Sequence, residues 1–274
     1  MKTLALVNQK GGCGKTTAAV NLAGALAAKG ARSQRVLLVD LDPQAHATLA
    51  LSVAIEPGEA SLSDVLLRGA PIRSALRAAP GGIAVLPATR ELGEFEEVAR
   101  RVVHPEQVLR EGLAELALDY DFAIVDCGPR ADSVLTANAL RAADVAVLVV
   151  ETGTFALQGA LTARSILEEI AEDMEAAFEL RVVATLFDRR MRLSRELLVA
   201  IQARFGSLLF DTVIQHSVRL REAAAGGVPV HLLDPHCRAA RDFESFAEEV
   251  RSLTRDRVPA RAGSREAPVP IHPR

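Results

Sequence analysis

Short apolar runs recur along the chain, separated by stretches whose apolar positions repeat with a helical period. The runs at 3–7, 36–39, 83–86, 122–125, 145–150 and 182–187 are continuous rather than alternating. Continuous runs of this length predict strands covered on both sheet faces, since a half-exposed strand would alternate with period two. Between them, 16–29, 105–117, 157–174 and 193–205 carry helical patterns, and a last helix is predicted at about 240–253. Strand–helix alternation of this kind predicts an α/β fold: a doubly wound, mostly parallel sheet flanked by helices. Residues 257–274 hold four prolines and five charged residues with no apolar period, which predicts a disordered tail. Residues 1–256 are expected to form a single domain, and no internal repeat is visible.

Composition adds little to this picture, but the distribution of charge adds more. Hydrophobic residues make up 49% of the 274, enough for a sizeable core, and the formal net charge is only −3. From Arg90 to Leu180 there are 19 Asp/Glu against 7 Arg, a net of −12, whereas from Arg181 to Arg221 there are 8 Arg against 3 acids, a net of +5. An acidic middle followed by a basic segment fits either ordinary solvated helix faces or an anion-binding patch. The cysteines are Cys13, Cys127 and Cys237; their number is odd and no pair has CxxC spacing, so they suggest a reducing compartment and offer no disulfide or metal framework. The N-terminal apolar run is too short for a signal peptide, and no run reaches the ~18 residues of a membrane span.

The chemistry lies at the ends of the predicted strands. Behind the first strand stands Lys10-Gly11-Gly12-Cys13-Gly14-Lys15-Thr16-Thr17, opening a helix. Gly14-Lys15-Thr16 completes a GxxxxGK[ST] phosphate loop whose first glycine is replaced by Gln9. Glycines let successive backbone N–H groups curl round phosphate oxygens at a helix N-terminus. Lys15 is expected to reach the β- and γ-phosphates and Thr16 to hold Mg²⁺. Cys13 is read as a small spacer rather than a nucleophile. Lys10 is one cation more than a single triphosphate requires. The second strand ends in Asp40-Leu41-Asp42-Pro43-Gln44, and the apolar run from Phe122 ends in Asp126, a Walker B arrangement. Acids at the carboxyl ends of parallel strands sit where open α/β sheets bind ligands. A single acid in such a place is often only a helix cap; three such acids, Asp40, Asp42 and Asp126, in order behind a phosphate loop are harder to explain that way.

These segments, with the late Val218-Arg219-Leu220-Arg221-Glu222-Ala223, resemble the ParA/Soj/MinD group of deviant-Walker ATPases from Met1 to about Val250, most closely its short ParA/Soj branch, in which no helix-turn-helix domain precedes the phosphate loop. The resemblance implies ATP and Mg²⁺ as cofactors, slow partner-stimulated ATP hydrolysis and an ATP-dependent homodimer. Lys10 matches the lysine that reaches across a nucleotide-sandwich dimer, Asp42 the residue that positions the attacking water, and Asp40 its neighbour in the motif. Thr16, Asp40 and Asp126 would serve the metal, while Gln215 and Ser217 fall in the segment near the adenine. Arg190, Arg219 and Arg221 fall where relatives contact DNA without sequence preference; the competing reading pairs Arg190 with Asp188 and Arg219 with Glu222. A ParB-like or cargo-adaptor partner and a cytoplasmic, nucleoid-associated location follow. So does a cargo, whether plasmid, chromosome or a protein body such as a carboxysome.

Departures from the pattern are specific. Asp126-Cys127-Gly128-Pro129 replaces Asp-x-Pro-Pro, Gln215-His216-Ser217 replaces Pro-Arg-Asn, and Ala225-Gly226-Gly227-Val228 lacks a lysine usual in relatives. A MinD-like membrane ATPase would need a C-terminal amphipathic helix, which the proline-rich end does not suggest. An iron–sulfur carrier of the same class would need converging cysteines.

Overall fold

The computed structural model describes residues 1–28, 30, 33–173 and 178–253. Eight strands among these form one sheet: β1 (Lys2–Val7), β2 (Val36–Leu41), β3 (Arg77–Ala79), β4 (Ile83–Leu86), β5 (Phe122–Cys127), β6 (Val145–Glu151), β7 (Glu179–Phe187) and β8 (Leu209–Gln215). Their order is β3-β4-β2-β5-β1-β6-β7-β8. Every neighbouring pair is parallel except β3 and β4. The α/β, mostly parallel architecture expected from the alternation is the one observed.

The helices are α1 (Lys15–Ala27), α2 (His46–Ala50), α3 (Leu62–Arg68), α4 (Phe95–Ala99), α5 (Val108–Glu115), α6 (Val134–Ala142), α7 (Ala156–Asp173), α8 (Arg192–Phe205), α9 (Val218–Ala225), α10 (Val230–Leu233) and α11 (Arg238–Ser252). They cover both faces of the sheet. In β1, Leu4 and Leu6 join a core built with α1 and α11, while Ala5 and Val7 join the opposite core with α6 and α7. Adjacent strand residues face opposite ways, so a strand buried on both sides must be apolar throughout.

Several elements differ from the sequence reading. Residues 105–107 form a separate 3₁₀ turn before α5, because Pro105 fits a first turn and the helix proper starts at Val108. The expected helix ends at 29 and 174, and the tail at 257–274, lie outside the described residues. β3, β8 and the short helices were not legible. β8 is only partly covered, burying Phe210 and Ile214, leaving Thr212 and Val213 half-buried and exposing Asp211. It lies at a sheet edge, and the N–H groups of Asp211, Thr212 and Gln215 donate to the carboxylates of Glu249 and Asp242 on α11, at 2.8, 2.9 and 3.1 Å. An edge satisfied in this way by side chains is closed to strand addition.

Strand order places the chemistry. β5 lies between β1 and β2, so the segments leaving the carboxyl ends of these three strands meet. Asp40 and Asp126 are register partners across β2 and β5.

Candidate nucleotide-binding site

The loop between β1 and α1 turns through Gly12 and Gly14, whose φ angles are 78° and 91°. Both lie in the left-handed region, which glycine enters without steric penalty. The loop is fixed from outside by the Thr185 hydroxyl, which donates to the Cys13 carbonyl at 2.7 Å, and by Asn8 Nδ2, which donates to the Val149 carbonyl at 2.6 Å. Lys15 is buried, and its Nζ donates to the Lys10 carbonyl at 3.1 Å.

A cavity of about 270 Å³ opens in front of this loop, lined by Gly11, Gly12, Gly14, Lys15, Thr16 and Thr17, with Asp42, Gln44, His46 and Pro129 opposite. Seven of these ten, Gly11, Gly12, Gly14, Lys15, Thr16, Thr17 and Asp42, are site residues expected from the sequence. Gln44, His46 and Pro129 were not singled out as site residues, although they stand two and four residues after Asp42 and three after Asp126, on the same connections. Cys13 does not line the cavity. It is buried, its Sγ donates to the Lys10 carbonyl at 3.3 Å, and burial pushes its thiol up, as burial also does for Cys127. Both are protonated fillers, so the spacer reading of Cys13 fits.

The three acids differ sharply. Asp42 is buried and accepts from the Gln44 N–H at 2.9 Å. Asp40 accepts from Thr48 N–H and Oγ1, both at 2.7 Å, and from the Asp42 N–H at 3.3 Å. Burial nevertheless pushes its carboxyl up to about 6. Asp126 is fully buried, and neither oxygen has a partner at hydrogen-bonding geometry. Burial raises its pKa well above the usual range, Asp40 adds to the rise, and the nearby Thr16 hydroxyl and Lys15 oppose it. An orphaned buried carboxylate beside a threonine hydroxyl supplies the hard oxygen donors that Mg²⁺ takes, and Mg²⁺ keeps most of its shell as water and phosphate. Among the described residues no group of three or more His, Cys, Asp or Glu is placed to hold a metal ion by itself.

Other positions stand apart. Lys10 turns away from the cavity to pair with Glu151 at the end of β6, a strand-end acid of the same type as Asp126 that the sequence reading passed over. Gln215 ends β8, and Ser217 caps α9 by accepting the Arg219 N–H at 3.2 Å. Neither lines this cavity. Arg190 pairs with Asp188 at 2.8 Å and Arg219 with Glu222 at 2.8 Å, while Arg221 is exposed. Arg190 holds the Asp188 carboxyl down to about 2.

A parallel sheet with a glycine loop at its topological switch point and acids at the neighbouring strand ends defines a P-loop ATPase. A family model described as an AAA domain matches residues 1–180. Chromosome partitioning protein ParA of Caulobacter vibrioides is 36% identical over 261 residues, covering 94% of this chain and 96% of that one. Sporulation initiation inhibitor protein Soj of Bacillus subtilis is 34% identical, covering 91% and 98%. Among solved structures, cobyrinic acid a,c-diamide synthase from Mycobacterium smegmatis with bound ATP analogue and magnesium superposes at a TM-score of 0.80, with 28% identity and coverage of 93% and 96%. Apo McdA from Cyanothece superposes at 0.81 with 23% identity, covering 91% and 99%, a likeness of fold. The chain belongs to the ParA/Soj family of P-loop ATPases. No helix among the described residues is long and apolar enough to cross a membrane.

Proposed function

We propose that the chain binds ATP with Mg²⁺, pairs with a second copy across the bound nucleotides, hydrolyses ATP slowly, and positions a cargo by binding duplex DNA without sequence preference. The observation that supports this most directly is the convergence of the glycine loop and Asp42 on one cavity, with the orphaned Asp126 buried beside Thr16 of its lining. Backbone N–H groups from Gly11 to Thr17, with Cys13 as spacer, would cradle the phosphates, and Lys15 would exchange the Lys10 carbonyl for phosphate oxygens. Thr16 and Asp126 would hold Mg²⁺, with Asp40 behind them. The ion, when bound, neutralises charge on the β- and γ-phosphates. Asp42 would orient the attacking water, and Lys10 would meet the partner's phosphates. Gln215 and Ser217 are assigned to the adenine side by resemblance.

Arg190, Arg219 and Arg221 would contact DNA phosphates, and a ParB-like or cargo-adaptor protein would stimulate hydrolysis. The relatives named as chromosome partitioning proteins favour a DNA cargo, plasmid or chromosome, over a protein body. Residues 1–256 would act as one ATPase domain in the cytoplasm, on the nucleoid.

Asp42→Ala tests the reading. It is expected to retain ATP and Mg²⁺, to lose about 100-fold or more in turnover, and to persist as a dimer with ATP by size-exclusion chromatography with light scattering. Hydrolysis at the parental rate would remove Asp42 from the mechanism.

A further inference from the structure

We propose that Glu151 is a positioning residue for Lys10: it holds the ammonium in cis in the free chain, so that Lys10 must leave a charge pair before it can meet a partner's phosphates. This rests on the reading of Lys10 given above and adds the group that opposes its transfer.

The placement is specific. Glu151 is the last residue of β6, paired with β7 as far as Thr185. The phosphate loop is tied to the same strand through Asn8, which donates to the Val149 carbonyl at 2.6 Å and accepts the Lys10 N–H at 3.1 Å. Lys10 Nζ then donates to Glu151 Oε1. The carboxylate side chain is 16% exposed and the lysine 47%. Gly153 makes room for it, since a Cβ there would lie 3.1 Å from Oε1. Glu151 also lines a second cavity, with Thr152, Leu186 and Ser194, and the other acid lining it, Asp188, is committed to Arg190.

The burial asymmetry gives the pair its effect. Two exposed partners would part at a cost of about 0–1 kcal/mol. Here the carboxylate is mostly withdrawn from water, and when Lys10 departs it is left without its counter-ion, a larger penalty. The pair therefore stabilises the open, unpaired chain. Only bound triphosphates, which offer Lys10 a stronger concentration of negative charge, overcome it.

The test is a variant cycle on the full chain with Mg²⁺ and a non-hydrolysable ATP analogue, read by analytical ultracentrifugation. Glu151→Gln keeps the shape and an acceptor but removes the charge. It is expected to tighten the dimer dissociation constant by about fivefold or more, with affinity for a fluorescent nucleotide within about twofold of the parent. The gap should shrink in high salt, which a packing role would not produce. Lys10→Ala should not pair, with or without Glu151→Gln. Unchanged or weaker pairing of Glu151→Gln, while Lys10→Ala abolishes pairing, would overturn the assignment of Glu151 and leave Lys10 in its role. Restoration of pairing to Lys10→Ala by Glu151→Gln would overturn it also, since the effect would not pass through Lys10. Parental pairing by Lys10→Ala would instead overturn the role of Lys10 and the proposal with it.

Discussion

Asp126 is buried completely with neither oxygen satisfied, and Asp40 lies opposite it in the sheet register. A carboxyl whose folded pKa is raised contributes stability that is present below its unfolded value near 4. That stability is lost as pH rises through the folded value. Without nucleotide, the parent chain should therefore lose stability as pH climbs from mildly acid to alkaline, Asp40 titrating at about 6 and Asp126 also raised well above the usual carboxylate range. Asp126→Asn should be more stable than the parent at pH 8 by about 1–3 kcal/mol, and the difference should shrink toward pH 5. The parent is expected to gain melting temperature with Mg²⁺ and ATP, as ligand bound to the folded state requires, and the same variant should lose that gain. Thermal unfolding across pH, with and without Mg²⁺–ATP, checks both. A variant less stable than the parent at pH 8 without ligand would show that Asp126 is not held at a loss. The position of Asp126 at the end of an apolar run was legible in the sequence. Its lack of partners was not, since that depends on what β1, β2 and α1 leave around it.

At the scale of elements, α1 connects the phosphate loop to the core. Its small residues Ala18, Ala19 and Ala23 are buried on β1 and β5, and its far end packs on α10. At Gly24 an added Cβ would lie 2.5 Å from His231 Cε1 and 2.6 Å from Pro229 Cβ. Alanine favours helix over glycine by about 1 kcal/mol, so propensity alone predicts that Gly24→Ala stabilises the protein. The packing decides otherwise: Pro229 is pinned beside Val230, whose N–H donates to Asn21 Oδ1 at 2.7 Å, and cannot move away freely. Gly24→Ala should destabilise by about 1–3 kcal/mol, seen as a lower melting temperature, whereas a rise would show that the packing yields. β8 illustrates the same limit on sequence reading. Its two buried residues are separated by Asp211, Thr212 and Val213, too weak a pattern to mark a strand without α11 supplying acceptors.

At the scale of the whole molecule, the basic segment has a place. Arg189, Arg190, Arg192 and Arg195 are exposed at the start of α8 or just before it, and Arg219 and Arg221 on α9. Arg190 and Arg219 are ion-paired with Asp188 and Glu222, the competing reading of the sequence made concrete. Exposed pairs contribute about 0–1 kcal/mol, so they do not withhold these side chains from phosphate. Duplex binding should be sequence-independent, require ATP and weaken steeply with salt. Arg190→Glu and Arg219→Glu should each lower affinity for any duplex and reduce the salt slope by about 1 for each phosphate no longer neutralised, with ATP-dependent pairing intact. An electrophoretic shift with random duplex over a salt series checks this. No shift for the parent at low salt with ATP would move the protein to a matrix other than DNA.

What the sequence determined by itself was local. A continuous apolar run marks a doubly covered strand wherever it lies, and Gly-Lys-Thr behind such a strand requires a turn only glycine makes easily. The mostly parallel sheet was therefore legible from the chain alone, the family was legible from the resemblance of its motifs, and Lys15, Thr16, Asp40, Asp42 and Asp126 could be placed at the carboxyl ends of strands or just behind them. What the tertiary structure decided was how distant segments meet. The pairing of Lys10 with Glu151, the anchoring of the loop by Thr185 and the clash latent at Gly24 each join residues more than a hundred positions apart. Strand order sets those meetings. The order β2-β5-β1-β6 brings together chain ends whose separation in sequence carries no signal of contact, because a side chain's neighbours across a sheet are fixed by which strands pair and not by anything periodic along the chain.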